Sequence, residues 1–130
     1  MIEIKGLSKS FGDLTAVNDI NLSVPKGEFF VILGPNAAGK TTTIKVMAGL
    51  MKPTSGSVHV CGHNIESEPL KARKRMAYLP DFPFLYDKLT PIEFFRFTGQ
   101  LFGMSESHIQ NESDSLSDRF SLGEFLSNPI

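Results

Sequence analysis

The sequence has no long apolar stretch, no pair of cysteines and no strong net charge, and each absence excludes a class of protein. Its longest apolar run, residues 29–33, is too short to cross a bilayer, and the N-terminus has no apolar signal core. Cys61 is the only cysteine, which excludes an internal disulfide and favours a reducing compartment. A net charge of −1 provides no overall attraction to nucleic acid or anionic lipid. These absences predict a cytosolic protein.

The apolar residues that are present follow the strand period in several places. Residues 2–5 and 20–24 alternate apolar and polar side chains, as half-buried strands do. Residues 29–33 are apolar without alternation, which predicts a strand buried on both faces of a parallel sheet. Short strands are also expected at residues 58–60 and 76–79.

Helical spacing and capping signals alternate with these strands. Helices are expected at residues 40–51, 69–75 and 90–103, and from Ser105 onward. Thr90 and Glu93 form a capping-box pair at one helix start. The last helix would carry Ile109, Leu116 and Phe120 along one side. The order of elements predicts an α/β fold that changes near residue 90 from mixed strands and helices to helices alone.

Residues 34–42, GPNAAGKTT, match the phosphate-loop pattern G-x-x-x-x-G-K-[ST] between an apolar segment and a helical one. Backbone amides and the positive end of the helix dipole would surround a phosphate. Lys40 would reach the β- and γ-phosphates, Thr41 would bind Mg²⁺, and Thr42 an inner phosphate. The candidate contacts are Gly34, Pro35, Asn36, Ala37, Ala38, Gly39, Lys40, Thr41 and Thr42.

Several further stretches, together with this loop, resemble the ATP-binding domain of ABC transporters. They are residues 9–12 (KSFG), 16–22 (AVNDINL), 26–28 (KGE), 49–56 (GLMKPTSG), 78–81 (YLPD) and 85–90 (LYDKLT). The resemblance implies an ABC-type P-loop NTPase fold in partial form. Residues 1–90 would be an antiparallel β subdomain plus half of a RecA-like ATP-binding core, and residues 91–130 the start of the helical subdomain.

The resemblance also implies roles for residues outside the loop. Phe11 would stack on adenine, with Val17 packing nearby, although a phenylalanine beside a turn is also a common core residue. Asp81 stands where the family has a glutamine that reaches Mg²⁺ and the attacking water. The candidate catalytic residues are therefore Asp81 and, because it would reach the β- and γ-phosphates, Lys40. Aspartate can bind Mg²⁺ but has no amide donor. Ala37 replaces a usual glycine, which costs roughly 1 kcal/mol if the position needs a positive φ.

The family's later motifs are not found in these 130 residues. They are a serine-glycine-glycine signature, an apolar strand ending in Asp-Glu and a switch histidine. Residues 115–118 (SLSD) lack the signature's glycines, and His108 comes too early to be the switch histidine. We therefore expect an N-terminal fragment that binds nucleotide without hydrolysing it. We also expect it to be marginally stable and prone to aggregation or swapping.

For the intact protein, the resemblance implies the ATP-binding subunit of an ABC transporter of exporter type, an ATPase with ATP and Mg²⁺ as ligands. Its partners would be a transmembrane permease and a second ATP-binding subunit in a head-to-tail dimer, at the inner face of the plasma membrane. Three alternatives remain: a non-hydrolysing nucleotide-binding module, a soluble ATPase acting on ribosomes or DNA repair, and a phosphate-loop kinase using Asp81 for Mg²⁺. No nucleic-acid partner is expected, because the basic cluster at residues 71–75 lacks interleaved aromatics.

Two other features are given structural interpretations. His59, Cys61 and His63 alternate like metal ligands, but three ligands without a fourth favour a strand edge leading into a turn. The aromatic residues between 82 and 102, Phe84 among them, are interpreted as core. The alternative is an exposed face that contacts a membrane subunit.

Overall fold

The computed structural model describes residues 1–83 and 85–128, in two compact units that meet in sequence between Leu79 and Pro80. The elements of the first unit are β1 (Ile2–Phe11), β2 (Leu14–Val24), α1 (Lys40–Met47), β3 (Ser55–Val60), β4 (His63–Asn64) and α2 (Pro69–Arg73). Those of the second are α3 (Pro91–Leu101) and α4 (Glu106–Phe120). No helix within the described residues combines the length and apolar character needed to span a membrane.

The first unit is built on an antiparallel sheet in the strand order β2-β1-β3-β4. Ile4 of β1 lies opposite Leu22 of β2 and Val58 of β3, so the alternating apolar side chains share one face. The alternation at residues 2–5 and 20–24 therefore predicted these strands correctly, although both are longer than the alternating segments.

The core of the first unit lies between that sheet face and the helices. Its buried members are Ile4, Leu7, Val17, Val46, Val58, Val60, Ile65 and Ala72. Val46 of α1 is fully buried, and burial of a side chain of this size stabilises a fold by roughly 1.5–3 kcal/mol. The helix that follows the phosphate loop is therefore anchored on the sheet by its own apolar side.

Two predicted strands do not form in the described chain. Residues 29–33 pair with no described strand, and Phe29 and Leu33 are 94% and 87% exposed. Residues 76–79 also lack strand pairing, and Leu79 is 83% exposed. The prediction of a doubly buried strand at 29–33 is wrong here. An apolar run becomes a buried strand only where neighbouring elements cover its faces and pair its edges.

Capping signals predicted both helix starts in the second unit. Thr90 Oγ1 accepts a hydrogen bond from the Glu93 amide at 3.4 Å, and Glu93 Oε2 accepts one from the Thr90 amide at 2.8 Å. Hydrogen bonds from the Thr90 amide and then its hydroxyl lower the pKa of the Glu93 carboxyl. Ser105 caps α4 through the His108 amide at 3.3 Å. Helix α3 ends at Leu101 rather than the expected residue 103.

The buried side of α4 differs from the predicted one. Ile109, Ser113 and Ser117 are buried at i, i+4 and i+8, whereas Phe120 is 61% exposed. Contact with α3 explains the choice, because a Cβ on Gly99 would lie 2.5 Å from Ile109 Cγ1. The missing side chain at Gly99 lets α4 approach along the side that carries its small serines.

The core interpretation of the aromatic residues is wrong for most of those the structure describes. Phe82 and Phe102 are 91% and 82% exposed, and Tyr86 is 56% exposed. Tyr86 packs edge-on against Phe97 with ring centroids 5.5 Å apart, which forms a surface cluster. Phe84 lies outside the described residues.

Candidate nucleotide-binding site

The phosphate loop leads directly into α1, as its sequence predicted. Gly39 is the N-cap residue with a φ of 82°, and no described side chain caps the helix. A turn closed by the Ala38 amide on the Pro35 carbonyl, at 3.3 Å, precedes it. A helix start without a side-chain cap leaves backbone amides available to an anion.

The Lys40 side chain bends back over the loop. Its Nζ donates hydrogen bonds to the carbonyls of Gly34 at 2.6 Å and Pro35 at 2.5 Å. The ammonium group is therefore held above the loop rather than extended into solvent. A phosphate placed there would meet a cation and the positive end of the helix dipole together.

Gly39 lies against the backbone of β2. A Cβ at Gly39 would be 2.4 Å from the Ala16 carbonyl oxygen and 3.2 Å from Val17 Cγ2, so only glycine fits. Val17 itself is 4% exposed and belongs to the core. The structure thus places Val17 under the loop as a support, and direct contact between Val17 and a nucleotide stays a prediction.

Ala37 occupies the left-handed region with a φ of 64°. The sequence pattern does not decide whether this position needs a positive φ, and the structure shows that it has one. For a non-glycine residue this conformation costs roughly 1–2 kcal/mol. Ala37 is therefore a strained residue within the loop that the sequence predicts to hold phosphate.

The remaining loop residues are accessible. Pro35, Asn36 and Ala38 are exposed, Thr41 is exposed in the first turn of α1, and Thr42 is half-buried. The next residue, Thr43, was not among the predicted site residues; it is 3% exposed, and its hydroxyl donates a hydrogen bond to the Gly39 carbonyl. A threonine one turn after a loop glycine is the only sequence signal for that contact.

The Phe11 ring lies at the end of β1, where a two-residue turn leads to Leu14. The ring is 46% exposed, which argues against the core interpretation. Lys9 Nζ lies 5.0 Å from the ring centroid, within the range of a cation–π contact. Phe11 therefore offers an accessible aromatic surface, and its stacking on adenine stays a prediction.

Asp81 belongs to the second unit and is exposed. Its predicted contact with Mg²⁺ and its catalytic role stay predictions. The alternation of His59, Cys61 and His63 has a structural origin, because Cys61 and Gly62 form the two-residue turn between β3 and β4, with φ of 49° and 84°. Within the described residues, no three His, Cys, Asp or Glu side chains are grouped to hold a metal ion.

Comparison with known proteins gives consistent matches. Residues 17–130 match the family model of the ABC transporter. The chain is 41% identical over 128 residues to the probable multidrug ABC transporter ATP-binding protein YbhF of Escherichia coli, covering 98% of this chain and 22% of that protein. It is 37% identical over 123 residues to the daunorubicin/doxorubicin resistance ATP-binding protein DrrA of Streptomyces peucetius, covering 95% and 37%.

A solved structure gives the same result for the fold. The ATP binding subunit of an ABC transporter superposes with a TM-score of 0.84 at 33% identity, over 99% of this chain and 54% of that one. The chain thus spans about half of that structure and from 22% to 37% of the two curated relatives. The predicted ABC-type P-loop fold is confirmed. With its phosphate loop at the start of α1 and these matches along the chain, the protein belongs to the ABC transporter family.

Proposed function

We propose that this protein is the ATP-binding subunit of an ABC transporter of exporter type, and that residues 34–42 bind the phosphates of ATP. One observation carries the phosphate-binding part of the proposal: Lys40 Nζ is held over the loop by the Gly34 and Pro35 carbonyls, at a helix start with no described side-chain cap. A cation beside a helix start that has no side-chain cap is a combination that suits a polyphosphate. The transporter part is supported by the match to the ABC transporter family and by the similarity to drug-exporter ATP-binding proteins.

Each proposed contact uses an accessible group. Lys40 would exchange its loop carbonyls for the β- and γ-phosphate oxygens, which are stronger acceptors. The exposed ring of Phe11 would stack on the adenine, an interaction worth roughly 1–3 kcal/mol per base in nucleic-acid proteins. The exposed hydroxyl of Thr41 is a hard oxygen ligand that suits Mg²⁺, with Asp81 as a second proposed ligand. When bound, Mg²⁺ would neutralise phosphate charge.

Hydrolysis, assembly and location belong to the same proposal. In the intact protein, a head-to-tail pair of ATP-binding subunits would act with a transmembrane permease at the inner face of the plasma membrane. Residues 1–90 would supply the ATP-binding core, and residues 91–130 would begin the helical subdomain. We propose that the 130-residue chain binds nucleotide without hydrolysing it, because its sequence holds no Asp-Glu strand to supply the general base.

The test is nucleotide binding by the 130-residue chain, measured with a fluorescent ADP analogue in the presence of Mg²⁺. Lys40→Ala should weaken binding roughly 10-fold or more, because a charge-assisted hydrogen bond is lost. Lys45→Ala is the matched control, since Lys45 is an exposed lysine in the last turn of the same helix. Equal affinities for the native chain and Lys40→Ala would reject the phosphate loop as the binding site.

A further inference from the structure

The carbonyl of Gly39 accepts two hydrogen bonds from a single residue. The Thr43 amide donates to it at 2.8 Å, and Thr43 Oγ1 donates to it at 2.9 Å. A carbonyl oxygen has two lone pairs, so Thr43 supplies partners for both. Thr43 is 3% exposed, which protects these bonds from competing water.

This double contact fixes the peptide that joins Gly39 to Lys40. A trans peptide is planar, and its C=O and N–H groups point in opposite directions. When the Gly39 carbonyl is held toward α1, the Lys40 amide must point the other way, out of the helix start. That direction is where helix N-termini bind anions.

Gly39 has little conformational restraint of its own. Its φ of 82° lies in a region where glycine is free to vary, and the Ala16 carbonyl leaves no room for a stiffer residue. The loop therefore cannot gain rigidity by replacing this glycine. The Thr43 hydroxyl supplies a restraint through its hydrogen bond to the Gly39 carbonyl.

We propose that Thr43 is a positioning residue for phosphate binding, acting through the Gly39 carbonyl to aim the Lys40 amide. The inference rests on the proposed function, because it concerns the same phosphate loop. Thr43 has no contact with nucleotide in this role. Its effect on affinity comes from a loop that is already ordered before the phosphate arrives.

Two matched pairs of variants isolate the hydroxyl. Thr43→Val keeps the branched shape of the native side chain and replaces the hydroxyl with a methyl group. Thr43→Ser and Thr43→Ala both remove the methyl group, and only the alanine removes the hydroxyl. The affinities for MgADP and for adenosine are measured for the native 130-residue chain and each variant. The midpoint of thermal unfolding is measured alongside.

Loss of the hydroxyl should weaken MgADP binding about 2- to 10-fold, which corresponds to one neutral hydrogen bond. Thr43→Ser should bind like the native chain, and adenosine binding should be unchanged in every variant. The inference is overturned if Thr43→Val binds MgADP with native affinity, or if Thr43→Ser loses as much MgADP affinity as Thr43→Ala. It is also overturned if the affinities for MgADP and adenosine and the midpoint of thermal unfolding all fall together. Lys40→Ala separates the two proposals, because its failure to weaken MgADP binding would reject the loop itself and this inference with it.

Discussion

Two glycines of the phosphate loop leave very different amounts of room for a side chain. Gly39→Ala would place a Cβ 2.4 Å from a backbone oxygen of β2, at a φ of 82°, whereas Gly34→Ala meets its nearest neighbour at 3.6 Å. We expect Gly39→Ala to lower the free energy of unfolding by about 2–4 kcal/mol, through strain and overpacking. Gly34→Ala should change it by less than about 1 kcal/mol. Urea unfolding followed by circular dichroism measures both, and equal losses would contradict the contact between β2 and the loop.

The strained alanine in the loop should respond in the opposite direction, with a gain in stability when glycine replaces it. Ala37→Gly should raise the free energy of unfolding by about 0.5–1 kcal/mol, because relief of the positive φ exceeds the added freedom of the unfolded chain. Ala38→Gly is the matched control, since Ala38 is not among the residues with positive φ and should lose about 0.5–1 kcal/mol. The same urea titration decides the sign. Stabilisation by both glycines, or by neither, would refute the assignment of strain to Ala37.

At the scale of elements, helix starts in this protein are determined by a few neighbouring residues. Sequence rules predicted the positions of three helix starts: Lys40 in α1, the Thr90 capping box of α3 and the Ser105 cap of α4. Helix ends and buried sides follow sequence less closely. Helix α4 turns Ser113 and Ser117 inward because Gly99 provides space for Ile109 beside them.

The capping box of α3 gives a prediction that depends on pH. The pKa of Glu93 is lowered in the folded state, so its contribution to stability is present above the unfolded pKa, near 4.5, and is lost as pH falls through the folded pKa. Thr90→Ala should lower the free energy of unfolding by about 1 kcal/mol at neutral pH. Glu93→Gln should flatten the loss of stability below about pH 4.5. Unfolding curves recorded across this pH range measure both effects. If Glu93→Gln lost as much unfolding free energy at low pH as the native chain, the role given to Glu93 would be contradicted.

At the scale of the whole molecule, residues 29–33 contribute a largely exposed apolar segment to the surface. Phe29 is 94% exposed and Leu33 is 87% exposed, on a chain with a net charge of only −1. An uncharged apolar segment with unpaired edges favours association between copies. The native chain should therefore self-associate as its concentration rises.

Sedimentation velocity over a range of concentrations tests this expectation. The double variant Phe29→Ser/Leu33→Ser should stay monomeric at concentrations where the native chain associates, because it removes apolar contact area. Leu50→Ser/Leu70→Ser is the control, since it removes two leucines that are 61% and 73% exposed elsewhere on the same unit. Equal behaviour of the two double variants would show that residues 29–33 are not the associating surface.

The sequence by itself determined the features that depend on neighbours along the chain. The phosphate-loop pattern, the start of α1, the two caps of the second unit and the antiparallel strands all follow from local spacing and backbone chemistry. The loop pattern was enough to predict phosphate binding, because a phosphate loop is a local structure, and the resemblance of further stretches indicated the family.

Only the tertiary structure decided which residues are covered and which loop positions are strained. It placed Val17 beneath Gly39, gave Ala37 a positive φ, turned Phe120 outward and left most of residues 29–33 exposed. Burial depends on what lies opposite a residue in space, and a periodic pattern carries no record of that partner. The burial of Thr43, whose hydroxyl donates to the Gly39 carbonyl, depends in the same way on the sheet that packs against α1.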